Sequence, residues 1–147
     1  MADLSAFATK NNADEGVVIP VKLDGTKIPL ALKIYGSDSD IVVDYERNKI
    51  RKLGIGKKGK KELDEDDIEE LLENQDEAVV IRIGGLWTYD WKKKAVVQNE
   101  PVELFGKTLG CDEGSYKYLV EKMPAIKDWI MAQSNDRSNF LSDGKKN

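Results

Sequence analysis

The chain has 147 residues, of which 40% are hydrophobic and 34% charged, and its net charge is −4. It contains no histidine and a single cysteine, which excludes Ser-His-Asp catalysis, ordinary zinc sites and an internal disulfide. The first residues lack the apolar run of a signal peptide and no stretch is long enough to span a membrane, so we expect one soluble, cytosolic domain.

The N-terminal third predicts extended structure. Residues 1–15 are small and polar, and we expect a mobile N-terminal arm or a short first helix there. Two apolar-rich runs follow on either side of an Asp-Gly-Thr turn at 24–26, which predicts a β-hairpin over residues 16–35. Pro20 and Pro29 cannot donate to a strand ladder, so both are predicted to lie at an edge or a bulge.

Helical periodicity dominates the remainder of the chain. Helices are predicted at about residues 40–53, 64–83, 112–122 and 124–135. The β-branched run 78–83 within the second of these also fits a strand, and that alternative stays open. The predicted buried positions are Ile41, Tyr45, Ile50, Leu53, Ile68, Leu71, Leu72, Val79, Ile83, Tyr116, Leu119, Val120, Ile126, Trp129 and Ile130.

The predicted fold class is therefore α+β, an N-terminal β-hairpin followed by a mostly α-helical domain. This single domain is expected to cover residues 16–141, with a flexible tail at 142–147. The three tryptophans Trp87, Trp91 and Trp129 are interpreted as aromatic packing residues, and a binding platform is the less favoured alternative.

The charge pattern changes sign abruptly in the middle of the chain. Residues 47–61 include eight basic and no acidic side chains, whereas residues 62–77 include ten acidic and no basic ones. Such a boundary predicts surfaces of opposite sign that meet each other, a neighbouring subunit or a charged partner. The expected self-association or partner surface comprises Lys57, Lys58, Lys60, Lys61, Asp66, Glu69, Glu70 and Glu73.

Three possible chemistries of this region are disfavoured by their context. The G-x-G-x-x-G pattern at 54–59 follows a predicted helix instead of a strand, so it does not indicate a dinucleotide site. The lysines at 57–61 have no interleaved aromatic residues and adjoin an acidic segment, and both features disfavour nucleic-acid binding. The acidic run 64–67 lacks the ligand alternation of an EF-hand loop. No cofactor, metal or enzymatic activity is therefore expected.

Five features occur in a fixed order over residues 14–141. They are the extended stretch GVVIPVKLDGTKIPLALKIYG, the capped helix SDSDIVVDYERNKIRKL, the basic-to-acidic connection KKELDEDDIEELLENQ, the Gly85-Leu86-Trp87 closure and the C-terminal Asn139-Phe140-Leu141. Together they resemble the tail assembly chaperones of long-tailed, siphovirus-type bacteriophages.

The resemblance implies a non-enzymatic assembly factor in the host cytoplasm that is absent from the mature virion. Its implied partners are the tape-measure protein, the tail-tube protein, further copies of the chain in a ring or spiral, and a frameshifted longer form of the chain. The alternatives are a virion structural protein, such as a tail terminator or head–tail connector, and a nucleic-acid-binding phage regulator.

Overall fold

The computed structural model describes residues 3–5, 8–53 and 75–141. The helices are α1 (Lys10–Glu15), α2 (Asp40–Leu53), α3, of which residues 75–80 are described, α4 (Glu113–Lys122) and α5 (Ala125–Asn135). The strands are β1 (Val17–Leu23), β2 (Thr26–Ile34), β3 (Ile83–Asp90), β4 (Ala95–Val97), β5 (Val102–Leu104) and β6 (Lys107–Leu109). A 3-10 turn, Arg137–Phe140, follows α5.

Four of these strands form one antiparallel sheet in the order β1-β2-β3-β4. The β1–β2 turn places Asp24 and Gly25 at φ 50° and 84°, the left-handed conformations of a type I′ hairpin turn. Pro20 lies on the edge strand β1, where a register shift occurs between Pro20 and Lys22. Pro29 faces this irregularity from β2, so both prolines lie where the missing N–H is tolerated, as predicted.

The predicted fold class is wrong in its arrangement. The hairpin is not followed by a mostly helical domain, because β3 and β4 extend it to a four-stranded sheet and β5 and β6 form a second, two-stranded sheet. The helical part is interleaved with the strands, since α2 and α3 lie between β2 and β3 in the chain. The fold is therefore a mixed α+β structure built on an antiparallel sheet.

Strand β3 was not predicted, because adjacent glycines such as Gly84 and Gly85 are typical of the end of a secondary-structure element. Gly85 lies beneath the ring of Trp87, and a Cβ on Gly84 would lie 2.8 Å from the hydroxyl oxygen of Tyr35. Glycine inside a strand marks such close approaches, so these residues allow β3 to continue instead of ending it. Strands β4, β5 and β6 have three residues each, too few for an alternating pattern to be recognised.

The boundary between α3 and β3 divides the ambiguous segment 78–83. Residues 75–80 are helical, residues 81–82 form a turn, and β3 begins at Ile83. The predicted helix 64–83 therefore extends too far at its C-terminus, and its residues 64–74 lie outside the described part of the chain. Both alternatives were partly correct, because the helix and the strand meet within six residues.

Helix α2 has the predicted boundaries but buries a different face. Ile41, predicted to be buried, is 46% exposed, whereas the neighbouring Val42 is fully buried. Tyr45 is half-buried, and the side chains of the predicted Ile50 and Leu53 are outside the described set. Because adjacent helical positions point about 100° apart, one residue of offset rotates the whole buried stripe.

The hydrophobic core lies between the sheet and the C-terminal helices. Strand β2 contributes the alternating residues Leu30, Leu32 and Ile34, each at most 4% exposed. Helices α4 and α5 contribute five of their six predicted inward residues, Tyr116, Leu119, Val120, Ile126 and Ile130, which are buried, whereas the sixth, Trp129, is half-buried.

The two ends of the described chain meet beside the end of β2. Ala13 of α1 is buried, and its carbonyl accepts the N–H of Gly36 at 3.1 Å. The side-chain amide of Asn12 donates to the carbonyls of Phe140 and Leu141, both at 3.0 Å. Residues 10–15 of the predicted N-terminal arm are thus helical and contact the C-terminal region.

Candidate interaction surfaces

One end of the four-stranded sheet is rich in lysine. Two turns lie there, because β1 and β2 are joined at residues 24–25 and β3 and β4 at residues 91–94. The side chains around these turns form a surface that we call the lysine pole, comprising Lys22, Lys27, Lys92, Lys93, Lys94 and Trp91. All five lysines are exposed, so their charges face solvent.

Trp91 holds the two turns of the lysine pole together. Its indole Nε1–H donates to the carbonyl of Ile28 on β2 at 2.6 Å, and its ring meets that of Tyr89 edge to face at 5.1 Å between centroids. The ammonium groups of Lys27 and Lys22 lie 5.4 and 6.0 Å from the indole centroid. These cation–π distances place lysines from the first hairpin against an aromatic residue of the second.

The lysine pole has an excess of positive charge, because its five lysines lie beside two carboxylates, Asp24 in the β1–β2 turn and Asp90 at the end of β3. None of its lysines makes an ion pair with a described carboxylate. The nearby Asp90 uses its Oδ1 to accept the backbone N–H groups of Lys92 and Lys93, at 2.9 and 3.2 Å. The carboxylate therefore fixes the turn, while the ammonium groups remain available to an anionic partner.

The insertion that contains the acidic segment 62–77 joins the sheet at its other end. The chain leaves β2 after Ile34 and re-enters β3 at Ile83, and these two residues are direct partners in the ladder. The eight residues of β3 span roughly 23 Å from Ile83 to Asp90 at about 3.3 Å per residue. The insertion that carries the acidic segment and the lysine pole therefore belong to opposite ends of the sheet.

A buried arginine lies where this insertion re-enters the sheet. Arg82 is 2% exposed, and its guanidinium donates to the Ala78 carbonyl at 2.7 Å and to the Glu46 carboxylate at 3.2 Å. Its Nε finds no hydrogen-bond acceptor in the structure as described. The Tyr45 hydroxyl donates to Glu77 at 3.1 Å, and burial together with this carboxylate raises the pKa of Tyr45 to about 12. Because Tyr45 and Glu46 belong to α2 and Glu77 and Ala78 to α3, these contacts hold the two helices against each other.

A second candidate surface is a groove between the two sheets. It has a volume of about 210 Å³ and lies between β2, the β5–β6 hairpin and α4. The Thr88 hydroxyl fixes one wall by donating to the carbonyl of Glu100 at 2.9 Å. We call this surface the apolar groove, after its main lining residues Ile28, Leu30, Val102, Leu104, Leu119 and Met123.

Phe105 projects from the tip of the hairpin that forms one wall of the apolar groove. It is 76% exposed, and with Gly106 it forms a two-residue turn at φ 52° and 79°. Asn or Gly is the usual occupant of such a left-handed turn position, and a bulky side chain there is strained. A large aromatic residue that is both strained and exposed is a candidate contact residue.

Cys111 and Tyr116 carry side chains that can act as nucleophiles when deprotonated. Cys111 is exposed, and its sulfur lies 3.4 Å from both the backbone nitrogen and the oxygen of Leu86. Burial, with the nearby Cys111, raises the pKa of Tyr116 to about 12, so this phenol is neutral at physiological pH. Within residues 3–5, 8–53 and 75–141 no group of three or more acidic or cysteine side chains is arranged to hold a metal ion.

The predicted site residues fall into two groups. The charged residues Lys57, Lys58, Lys60, Lys61, Asp66, Glu69, Glu70 and Glu73 lie outside the described residues. The three tryptophans are half-buried: Trp87 covers Gly85, Trp91 belongs to the lysine pole, and Trp129 packs against the core from α5.

Neither candidate surface was predicted from the sequence. The run 92–94 was visible as a basic turn, but its neighbours Lys22 and Lys27 are some 65 residues away in the sequence, and only the β2–β3 pairing brings them together. Phe105 carried a weak signal, because Phe-Gly in a short turn is an unusual pair.

Comparison with known proteins gives no match: no family model, curated protein or solved structure is significantly similar to this chain. In the described part of the chain, no helix combines the length and the apolar character needed to cross a membrane.

Proposed function

We propose that this chain is a non-enzymatic tail assembly chaperone of a long-tailed bacteriophage. In this role it binds the tape-measure protein, keeps it soluble and recruits tail-tube subunits around it in the host cytoplasm, and it is absent from the finished virion. The ordered sequence features described above support this proposal. The structural observation that carries it is Phe105, which is exposed and strained at the tip of the β5–β6 hairpin, next to Leu104 of the apolar groove.

The chemistry of the groove suits the proposed client. A tape-measure protein is a long helical chain with apolar faces, and such faces aggregate unless they are covered. Apolar side chains of a helix bind to grooves lined by residues such as Ile28, Leu119 and Met123. Phe105 would add apolar contact area beside the groove, and its backbone strain would be offset by client binding.

Co-expression with the tape-measure protein of the same genome tests the proposal. The wild-type chain is expected to move the tape-measure protein from the pellet into the soluble fraction and to co-purify with it. The variants Phe105→Ser and Met123→Glu should lose most of this effect. Ile41→Ser is the matched control, because Ile41 is also an exposed apolar residue but belongs to α2, away from the groove.

Two results would contradict the proposal. The first is a tape-measure protein that stays insoluble with the wild-type chain, or that is solubilised equally by all variants. The second is stoichiometric detection of the chain in purified virions by mass spectrometry, which would indicate a tail terminator or connector instead.

A further inference from the structure

The lysine pole and the acidic segment 62–77 carry opposite charges, and the insertion that contains this segment joins the sheet at the end opposite the pole. The lysine pole, at one end of the sheet, has five exposed lysines without carboxylate partners among the described residues. The insertion joined to the other end carries eight basic residues at 47–61 and ten acidic residues at 62–77, of which Asp76 and Glu77 contact Lys127 and Tyr45 of the same molecule. Surfaces of opposite charge on one molecule attract a second copy in a head-to-tail orientation.

We propose that the lysine pole is the receiving surface for the acidic segment 62–77 of a second copy. This inference rests on the charges and the topology and is independent of the tape-measure protein. It also assigns a basic surface different from the lysines at 57–61, which the sequence alone had suggested. The interface is heterologous, so repetition of the same contact gives a ring or an open spiral.

The geometry of Trp91 suits a protein carboxylate partner. Lys22 and Lys27 are held close to the indole, which limits their motion before a partner arrives and reduces the entropy lost on binding. Lys92, Lys93 and Lys94 follow in a turn fixed by Asp90. Lysines from both hairpins thus face one region, where they can contact several carboxylates of one acidic segment.

A single-stranded nucleic acid is the other polyanion that this surface could attract, and the observations favour it less. Such ligands stack their bases on open aromatic faces, whereas Trp91 has two lysine ammonium groups near its ring. The net charge of −4 and the ten acidic residues at 62–77 would also repel a nucleic acid. Each copy of the chain, in contrast, supplies its own acidic ligand at equal concentration.

Charge reversal tests the interface directly. The pole variant carries Lys92→Glu, Lys93→Glu and Lys94→Glu, three changes at exposed turn positions. The matched control carries the same change at Lys107, Lys117 and Lys122, which are also exposed but lie outside the pole. Both triple variants shift the net charge by −6, from −4 to −10, so a difference between them reflects position and not total charge.

Sedimentation velocity over a concentration series in low salt measures self-association, and circular dichroism checks the folding of each variant. The wild-type chain should self-associate, and the complexes should dissociate as salt is raised. The pole variant should weaken self-association roughly tenfold or more, whereas the control should change it much less. Reversal of Glu69, Glu70 and Glu73 to lysine should weaken it similarly.

Combining the pole variant with the reversed acidic residues in one chain provides the decisive result. The two surfaces are then complementary again with exchanged signs, so self-association should return. Recovery also excludes misfolding as the cause of the loss in the single-surface variants.

Several outcomes would overturn the proposal. These are a wild-type chain that stays monomeric, equal loss in the pole and control variants, or no recovery in the combined variant. Loss on reversal of Lys57, Lys58, Lys60 and Lys61, with the pole variant unchanged, would assign the acidic segment to that stretch instead. Binding of a fluorescent single-stranded oligonucleotide that depends on the pole, with unchanged self-association, would identify a nucleic-acid surface. None of these outcomes depends on the tape-measure protein, so each proposal can fail separately.

Discussion

The indole of Trp87 lies over Gly85, two residues earlier on the same strand. Its Cζ3 and Cζ2 atoms are 2.8 and 2.9 Å from the position that a Cβ on Gly85 would occupy. Gly85 itself is buried, so the ring has replaced solvent above this part of the sheet. Strand β3 therefore requires glycine at position 85, because any side chain there would clash with the ring of Trp87.

This contact predicts that Gly85→Ala destabilises the fold through a steric clash. Overpacking of this kind costs about 1–3 kcal/mol in the free energy of unfolding, measured by urea titration. In a Trp87→Ala background the same substitution should cost much less, because the ring that the new methyl group meets is absent. Equal costs in the two backgrounds would show that Trp87 is not the cause.

The backbone strain at Phe105 predicts that a substitution there can raise stability and weaken client binding at the same time. Phe105→Asn places a residue that tolerates the left-handed conformation at the first turn position, so we expect a gain on the order of 1 kcal/mol in unfolding free energy. The same variant should bind the tape-measure protein more weakly. Thermal unfolding and co-purification measure the two effects, and a less stable Asn variant would contradict the assignment of strain to Phe105.

The start of α4 depends on one side chain. The Asp112 Oδ1 atom accepts the backbone N–H of Ser115 at 2.8 Å. The Ser115 hydroxyl donates to the other carboxylate oxygen, Asp112 Oδ2, at 3.2 Å. Loss of an N-cap costs about 1 kcal/mol, so Asp112→Ala should lower the unfolding free energy by that amount. Asp112→Asn and Asp112→Ser retain a capping oxygen and should lose far less. An alanine variant as stable as these two would show that the cap contributes little.

The pair formed by Asp38 and Arg137 predicts a pH dependence of stability. The guanidinium of Arg137 donates to both carboxylate oxygens, at 2.9 and 3.2 Å, and this hydrogen bonding lowers the pKa of Asp38 below its ordinary value. A carboxyl group with a lowered folded-state pKa stabilises the fold above its unfolded pKa of about 3.9. That contribution is lost as the pH falls through the lower folded-state pKa.

Urea unfolding of the wild type and of Asp38→Asn between pH 7 and pH 2.5 measures this contribution. The difference in stability between the two proteins should be present at pH 7 and should shrink in the acid range, because the asparagine does not titrate. A constant difference across the range would show that the ion pair does not account for the effect of the substitution.

Local sequence signals predicted those parts of the fold that local interactions determine. The Asp-Gly turn gave the first hairpin, and the apolar spacing gave the buried residues of α4 and α5, such as Leu119 and Ile130. The helix α2 was found, but its buried face was assigned one residue away, since Ile41 and Val42 fit the periodicity almost equally well. Tertiary contacts decided between them.

Strand β3 and the lysine pole were not predicted, because both depend on pairing between residues that are far apart in the sequence. Strand β3 pairs with β2 across an insertion of 48 residues, from 35 to 82, and its two glycines make sense only against Tyr35 and Trp87. The lysine pole requires the same pairing, because Trp91 reaches Ile28 only when β3 lies beside β2. Neither feature has a signature within a short window of sequence.

The hydrogen bonds from Asn12 to the carbonyls of Phe140 and Leu141 determine where an extension after residue 141 would start. It places the end of the described chain beside α1 and Gly36, at the end of the sheet opposite Trp91. Additional sequence beyond residue 141 would therefore emerge far from the lysine-bearing turns. That end of the sheet is also where the insertion with the acidic segment leaves β2 and re-enters β3, so an extension after residue 141 would start near that insertion and not near the lysine pole.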